Sequence, residues 1–535
     1  MMQAASRALS KHGARHAQAL HSSLCCGLRA PLQGGGLVAR MSTARAAPPV
    51  SSARRVNAHH LPDAHAPPPL SALDNSFDPL QVSAAHWSDE PWEPSAIRAA
   101  QSRHVMATWG AGSAASALPL MVRGEGVYLY DANGQRYLDW TSQAVCANLG
   151  HTVPPSVRQA VASQLETLPF VYSGLGMSEV RCRLAQLLSE ILPADLTGVL
   201  FPCGGAEANE VALRLARRFT GRPKILAHYR SYHGGTSGAL AATGDFRRWF
   251  GDGGAASGIV HVHSPLPYLF EWAGDEAEAA RVALAALEET ILAEGPHTIA
   301  GLLIESIVGS GGVLIHPRGY VQGARALCDK YGILYIADEV MVGFGRTGTL
   351  WGFQQYEGVV PDIVTSAKGL SGAYMPLACV AVHERIRDWF DSHPLGWGAT
   401  YHAHPVALAC SYEVVKHMLR TEVVQHVRAL EPTMIAQVQR LVDAHPSVRQ
   451  ARAIGLFGCL DLAGADGRPL QRLQGPPAPE AAVLKAAMQA EGLVGLFRPP
   501  HLHCAPPLVI TEPELLDGFN RLDLALTVLD RHIGL

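Results

Sequence analysis

Nowhere does the sequence carry a run of about 18 apolar residues, the length a spanning helix needs. Its longest candidate, Gly369 to Val382, is shorter and contains Pro376, so no membrane span is expected. None of the ten cysteines sits in a Cys-x-x-Cys pair, and no His/Cys spacing suits zinc. No metal is therefore expected, and the scattered thiols read as small buried hydrophobes of a reducing compartment such as a mitochondrial matrix. A net charge of −3 gives no footprint for nucleic acid. There is no internal repeat and no Walker loop, because no glycine-rich turn ends in Lys-Ser or Lys-Thr. With 48% hydrophobic and 17% charged residues, a disordered or fibrous chain is excluded. The 535 residues suffice for several buried cores.

Acidic residues are missing from the N-terminus. Every charge before Asp63 is basic, from Arg7 to Arg55. Arg7, Lys11 and Arg15 fall on one side of a helical wheel, with Ala5, Leu9 and Leu20 opposite. An Arg-, Ala- and Ser-rich, acid-free start predicts an organelle transit peptide over 1–62, mitochondrial or alternatively plastid. A disordered basic tail is the bland alternative. No compact apolar core precedes Arg7 and Arg15, which argues against a secretory signal. The Pro-, Ala- and Ser-rich stretch that follows reads as a linker, taken to span 63–94.

Beyond it, hydrophobic periodicity takes over. Val127–Tyr130 and Arg136–Asp139, joined through Asn133-Gly134, predict a hairpin. From 150 to 395 short apolar runs alternate with amphipathic segments. Gly301–Glu305 and Ile333–Asp338 read as strands ending in an acid, with a helix over Tyr320–Lys330 between them. That rhythm predicts a parallel sheet whose ligands lie outside the strands' carboxyl ends. Helical spacing returns over Pro405–Leu419 and from Glu512 onward.

Four stretches carry polar residues at those ends. Cys203-Gly204-Gly205-Ala206-Glu207 follows an apolar run and opens a helix, so its free N–H groups could meet an anion; a plain tight turn is the alternative. Tyr232-His233-Gly234-Gly235 pairs an aromatic with glycines that let a flat ligand approach. Asp338-Glu339-Val340-Met341-Val342-Gly343-Phe344-Gly345-Arg346-Thr347-Gly348 puts an acid at the end of a buried strand, where it needs a cation. Ser366-Ala367-Lys368-Gly369 puts a lysine after another such strand, a residue type rarely buried without a role.

In this order the four stretches resemble the class III (omega, subgroup II) aminotransferases, which depend on pyridoxal phosphate, and the likeness runs from about residue 95 to 530. It implies an α/β fold of type I: a large domain (150–395) with a mostly parallel sheet covered by helices, and a smaller α+β domain built from 95–149 and 396–535. It implies catalytic roles for Lys368, which would form the Schiff base with the cofactor and shuttle the proton, and for Asp338, which would hold the pyridine nitrogen protonated. Gly205 and Ala206 would bind the phosphate. Tyr232 would stack on one ring face with His233 beside it, Val340 would pack on the other, and Glu305 would stand behind. Thr400 matches the threonine that reaches the neighbouring subunit's phosphate, which implies a homodimer with shared sites.

Departures from that pattern narrow the substrate. The glutamine that follows Asp-Glu-Val in the ornithine and 4-aminobutyrate enzymes is Met341 here, an acid after the Glu305 position is Ser310, and a carboxylate-binding arginine is His503. Arg498 lies just upstream and is expected to substitute, with Trp109 as a second substrate contact. These features are more similar to the taurine, β-alanine and omega-amino-acid:pyruvate branch. The expected reaction is ping-pong transfer from an amino donor whose acid group is not on the amine-bearing carbon (taurine, β-alanine or 4-aminobutyrate) to a 2-oxo acid such as pyruvate or glyoxylate. An aminomutase, a decarboxylating enzyme or a phospholyase would use the same Lys368 and Asp338. A non-catalytic binding paralogue is the alternative of another class, against which the intact Lys368, Asp338 and Thr400 argue.

Overall fold

In the computed structural model the described residues are 90–108, 118–250, 258–265, 275–470 and 478–535. The transit-peptide expectation and Trp109 lie outside them. The N-terminal hairpin forms as its Asn-Gly turn dictates: Tyr128–Asp131 (β2) pairs antiparallel with Arg136–Asp139 (β3), and Gly134 supplies the positive φ of 82° at the turn. Met121–Glu125 (β1) borders β2. On the other edge β3 takes Leu493–Val494 (β13) from near the C-terminus as a parallel neighbour.

A seven-stranded sheet is the centre of the molecule. Its strands are β4 (Gly198–Leu200), β5 (Lys224–His228), β6 (Ile259–Val262), β7 (Ile299–Glu305), β8 (Leu334–Asp338), β9 (Ile363–Ser366) and β10 (Cys379–Val382), in the order β4-β10-β9-β8-β7-β5-β6. All pairings are parallel except the two made by β10. Helices supply the crossovers that parallel neighbours require, such as Tyr320–Tyr331 between β7 and β8. The link from β9 to β10 has no such crossover. The chain leaves β9 at the carboxyl edge, turns through Lys368–Leu370 and re-enters antiparallel, which keeps Lys368 on that edge.

Both faces of the sheet are buried, so its strands are continuously apolar and alternate residues feed two cores. Ile225, Leu303 and Ile336 pack with Val211 and Leu215 of the helix Gly205–Thr220. Leu226, Leu302, Ile304 and Tyr335 join the larger core on the opposite face. A four-stranded sheet of β11 (Val448–Ile454), β12 (Phe457–Leu462), β15 (His501–Cys504) and β14 (Phe497–Arg498) completes the C-terminal part, and the capped helix Glu512–Ile533 ends the chain. No helix among the described residues is long and apolar enough to cross a membrane.

The glycine-rich run after Asp338-Glu339 is explained by Arg346. This fully buried guanidinium donates to the carbonyls of Leu456 (2.9 Å) and Pro506 (2.6 Å), and to Ser142 Oγ (3.0 Å) and Asn148 Oδ1 (3.1 Å). It ties the loop beside the central sheet to both the N-terminal and the C-terminal segments. Burial lowers its pKa to about 9, against the pull of Asp139.

Candidate active site

Parallel register brings Glu305 level with Asp338, and Asp338 level with Thr365. Along β8, Leu334 and Ile336 face the helix Gly205–Thr220, and period-two alternation turns Asp338 the same way. There its Oδ2 accepts from Asn209 Nδ2 at 2.9 Å and lies 2.7 Å from His233 Nδ1, while its Oδ1 accepts from the Val340 amide at 3.0 Å. Asn209 is itself fixed: it accepts from Thr365 Oγ1 at 2.8 Å and donates to the His233 carbonyl at 2.6 Å. A carboxylate with three donors is held in one orientation. His233 therefore serves Asp338, and its position relative to the Tyr232 ring is set by that bond.

Lys368 stands beyond the end of β9 with φ at 43°, a backbone state that a non-glycine residue keeps only where its surroundings fix it. Among the described residues its amine makes no ion pair or hydrogen bond. Burial lowers its pKa and the positive charge of Arg498 pushes the same way, against Cys146, Asp338 and Glu305. Such an amine is neutral for more of the time, the state in which it attacks a carbonyl.

The helix Gly205–Thr220 begins beside Val340, capped by Gly204. Its first amides have no partner within the helix. A β-carbon on Gly205 would come within 2.7 Å of Val340 Cγ1, so the loop after β8 and this helix start pack too closely for any side chain there. Cys203 donates its amide to Glu207 Oε2 at 2.9 Å, which turns that carboxylate back onto the loop.

Glu305 is the hub of a second set of contacts. Its Oε1 accepts from the Tyr232 amide (2.8 Å) and its Oε2 from the Gly309 amide (2.9 Å). Burial raises its pKa to about 7, with Asp338 adding in the same direction and His233 opposing. The Gly309 loop continues to Ser310, whose Oγ accepts from Arg498 Nη1 at 3.0 Å. Burial lowers the Arg498 pKa to about 10. His503, by contrast, is fully buried with Nε2 3.1 Å from the Gly309 carbonyl, and burial lowers its pKa to about 3. It packs as a neutral ring.

Of the residues expected from sequence, Gly205, Ala206, Tyr232, His233, Glu305, Asp338, Val340, Lys368 and Arg498 are all tied to the carboxyl edge of the sheet. Thr400 is exposed in a turn outside that cluster. Two residues were missed. Asn209 could have been suspected as a polar residue among Ala208, Ala212 and Ala216 on a buried helix face. Arg247, whose guanidinium lies 3.6 Å from the Tyr232 ring centroid, left no signal in a loop sequence.

A desolvated amine, a thrice-held carboxylate at a strand end and a helix start with room only for glycine fit a phosphorylated pyridine aldehyde. The class-III aminotransferase profile matches residues 111–526. The chain is 34% identical over 418 residues to a mitochondrial gamma-aminobutyrate transaminase of Oryza sativa, spanning 74% of this chain and 79% of the relative. It is 33% identical to the taurine–pyruvate aminotransferase of Rhodobacter capsulatus over 76% of this chain and 91% of that one. The solved structure of a taurine:2-oxoglutarate aminotransferase from Bifidobacterium kashiwanohense, in complex with pyridoxal phosphate and glutamate, superposes with a TM-score of 0.79. That structure is 37% identical and covers 83% of this chain and 100% of its own.

Proposed function

We propose that this chain, which belongs to the class III aminotransferases and is a pyridoxal-phosphate-dependent enzyme of that fold, moves an amino group from an omega-amino acid to a 2-oxo acid. When bound, the cofactor supplies a carbonyl that captures amines and a ring that draws off electrons. The chain's residues do the rest. Lys368 would hold the cofactor and would move the proton at the donor's amine-bearing carbon. Asp338, oriented by Asn209 and His233, would keep the cofactor's pyridine nitrogen protonated. Gly205 and Ala206 would offer amides to the phosphate, Val340 and Tyr232 would hold the ring, and Glu305 fixes the Tyr232 and Gly309 loops to one carboxylate.

The observation that carries the substrate reading is Arg498. It is half-buried, bonds only the neutral Ser310 and pairs with no carboxylate among the described residues. A desolvated guanidinium without a counter-ion favours an anionic ligand. Arg498 lies on β14, opposite His501 of β15, so an acid group bound there is displaced from the His503 position. Donors of the taurine, β-alanine or 4-aminobutyrate type meet that description, and pyruvate or glyoxylate is the proposed acceptor. A donor-by-acceptor screen on protein lacking residues 1–62 tests it. Donor-dependent conversion of pyruvate to alanine supports transamination; release of carbon dioxide or phosphate without alanine would mean another reaction on the same residues. Arg498→Ala should weaken acidic donors while sparing half-reactions with uncharged amines.

The working unit is proposed to be a homodimer. Thr400 is exposed beside Tyr401, which contacts Phe170 (ring centroids 5.9 Å apart). Leu175 (86% exposed) and Met177 (90%) are further apolar side chains open to solvent, as residues covered by a second copy would be. Import is proposed for the acid-free N-terminus. Residues 1–62 fused to a fluorescent reporter should carry it to mitochondria, or to plastids in a plant cell, and a diffuse cytosolic signal would refute that role.

A further inference from the structure

Thr400 stands in a turn that is closed twice. The Ala399 carbonyl accepts the His402 amide at 3.2 Å, which makes Thr400 and Tyr401 the two central residues of the turn, and it also accepts from His402 Nδ1 at 2.7 Å. A carbonyl can only accept, so Nδ1 carries the ring proton and Nε2 of the neutral ring is an acceptor. Ser173, 229 positions earlier in the chain, meets that acceptor: its Oγ donates to His402 Nε2 at 2.9 Å. Ser173 belongs to the loop between the helices Pro155–Thr167 and Glu179–Ile191. Phe170 of the same loop packs its ring against those of Tyr401 and His404, with centroids 5.9 Å and 5.4 Å apart. On its own side the turn is rooted by the Ala403 amide, which donates to the Phe201 carbonyl at 2.8 Å, just past the end of β4.

These bonds fix different things. The Phe201 bond holds the foot of the turn to the edge of the central sheet. The chain from Ser173 through His402 to Ala399 holds its tip, where Thr400 and Tyr401 are exposed. An exposed two-residue tip has many directions open to it, and ordering it at the moment of binding costs affinity. Tying the last side chain of the turn to the first carbonyl, and that side chain to a second loop, removes this freedom beforehand. The tie is polar and half-buried, so it adds little to either core. Its effect falls on where Thr400 points.

We propose that Ser173 and His402 are positioning residues that aim Thr400, so that a clip within one subunit sets how tightly its neighbour holds the cofactor phosphate. This rests on the homodimer reading of Thr400 and deepens it, since the shared site then depends on a second loop. The Ser173 hydroxyl orients the His402 ring, the ring closes the turn, and the turn presents Thr400. Of the three, only Thr400 meets the phosphate.

Cofactor release tests it, read as the loss of visible absorbance when the holoenzyme is diluted. Ser173→Ala should release cofactor about two- to tenfold faster than wild type, the change expected for one neutral hydrogen bond, with an unchanged denaturation midpoint. Ser173→Thr keeps the hydroxyl and should stay near wild type. Thr400→Ala should release cofactor about tenfold faster or more, as the loss of a bond to a charged group requires. The double variant, Ser173→Ala with Thr400→Ala, should release it no faster than Thr400→Ala alone, because Ser173 acts through Thr400. Mixed dimers give a readout that a merely structural role would not move. Differently tagged chains pair a Lys368→Ala subunit, which cannot hold cofactor covalently, with a subunit that keeps Lys368. Cofactor on Lys368 should leave faster when Ser173→Ala lies in the Lys368→Ala chain, and at the normal rate when it lies in the other. Unchanged release from Ser173→Ala, or additive losses in the double variant, overturns the proposal and leaves the homodimer reading standing. Unchanged release from Thr400→Ala, or a Ser173→Ala effect confined to its own subunit, overturns that reading and the proposal with it.

Discussion

Replacing Asn209 tests the geometry on which the Asp338 assignment depends. Its side chain makes three short bonds in a fully enclosed place: to Asp338 Oδ2 at 2.9 Å, to the His233 carbonyl at 2.6 Å and from Thr365 Oγ1 at 2.8 Å. Asn209→Ala strips all three at once. A hydrogen bond to a charged group contributes ~1.5–3 kcal/mol, and an orphaned buried polar group costs ~1–3 kcal/mol. With partial re-aiming of the Thr365 hydroxyl, a loss of about 3–6 kcal/mol is expected in urea unfolding. Asn209→Asp separates hydrogen bonding from charge. The introduced carboxyl keeps an acceptor for Thr365 but stands at hydrogen-bond distance from Asp338, where two negative charges ~4 Å or less apart repel by about 4 kcal/mol at an effective dielectric near 20. It will therefore stay protonated in the folded state, with a pKa raised above its unfolded value. Between the two values the folded state binds more protons than the unfolded one, so stability falls as pH rises, by up to ~1.4 kcal/mol per pH unit. The variant should be about 1–3 kcal/mol weaker than wild type at pH 4, where its single O–H cannot serve both Asp338 and the His233 carbonyl, and progressively weaker still toward pH 7. An Asn209→Ala cost below about 1 kcal/mol, or an Asn209→Asp cost independent of pH, would refute the bridge.

Other outcomes follow from the same site. Borohydride treatment of the yellow holoenzyme should fix the cofactor to the peptide containing Lys368 and to no other, and Lys368→Ala should abolish turnover; mass spectrometry of the digest decides. Asp338→Asn should leave the fold largely intact, since an amide can occupy the same place, but should lower single-turnover rates by orders of magnitude; a near-normal rate in stopped flow would contradict the role of its charge. Glu339 is buried against the amides of Gly352 (2.6 Å) and Phe353 (2.9 Å), and burial raises its pKa to about 7. Its folded pKa lies above the unfolded one, so its carboxyl should cost stability increasingly as pH rises from about 4.5 to about 7. Glu339→Gln should flatten that slope in denaturant titrations, at a pH-independent cost of about 1–3 kcal/mol because its amide nitrogen would face donors that the carboxylate accepts from.

Much of this protein is legible in its sequence because the signals are local. Asn133-Gly134 dictates a hairpin, the apolar runs ending at Glu305 and Asp338 dictate buried parallel strands, and 3.6-residue periodicity dictates the helices at Tyr320 and Pro405. A lysine and an acid at the ends of such strands already point to the chemistry, because neither is stable there without a task or a partner. What the sequence could not supply is which residues meet across long separations. Asn209 reaches Asp338 only because strand parity turns the acid toward that helix face. Arg346 joins Ser142 to Pro506 although neither segment announces it. His503 and Arg498, five positions apart, are driven to opposite roles by tertiary packing: one is sealed against the Gly309 carbonyl as a neutral ring, the other is left charged with only a serine to bond. Burial sets the cost of a charge, and burial is a property of the packed molecule, so the fold decided which of the two side chains stays charged.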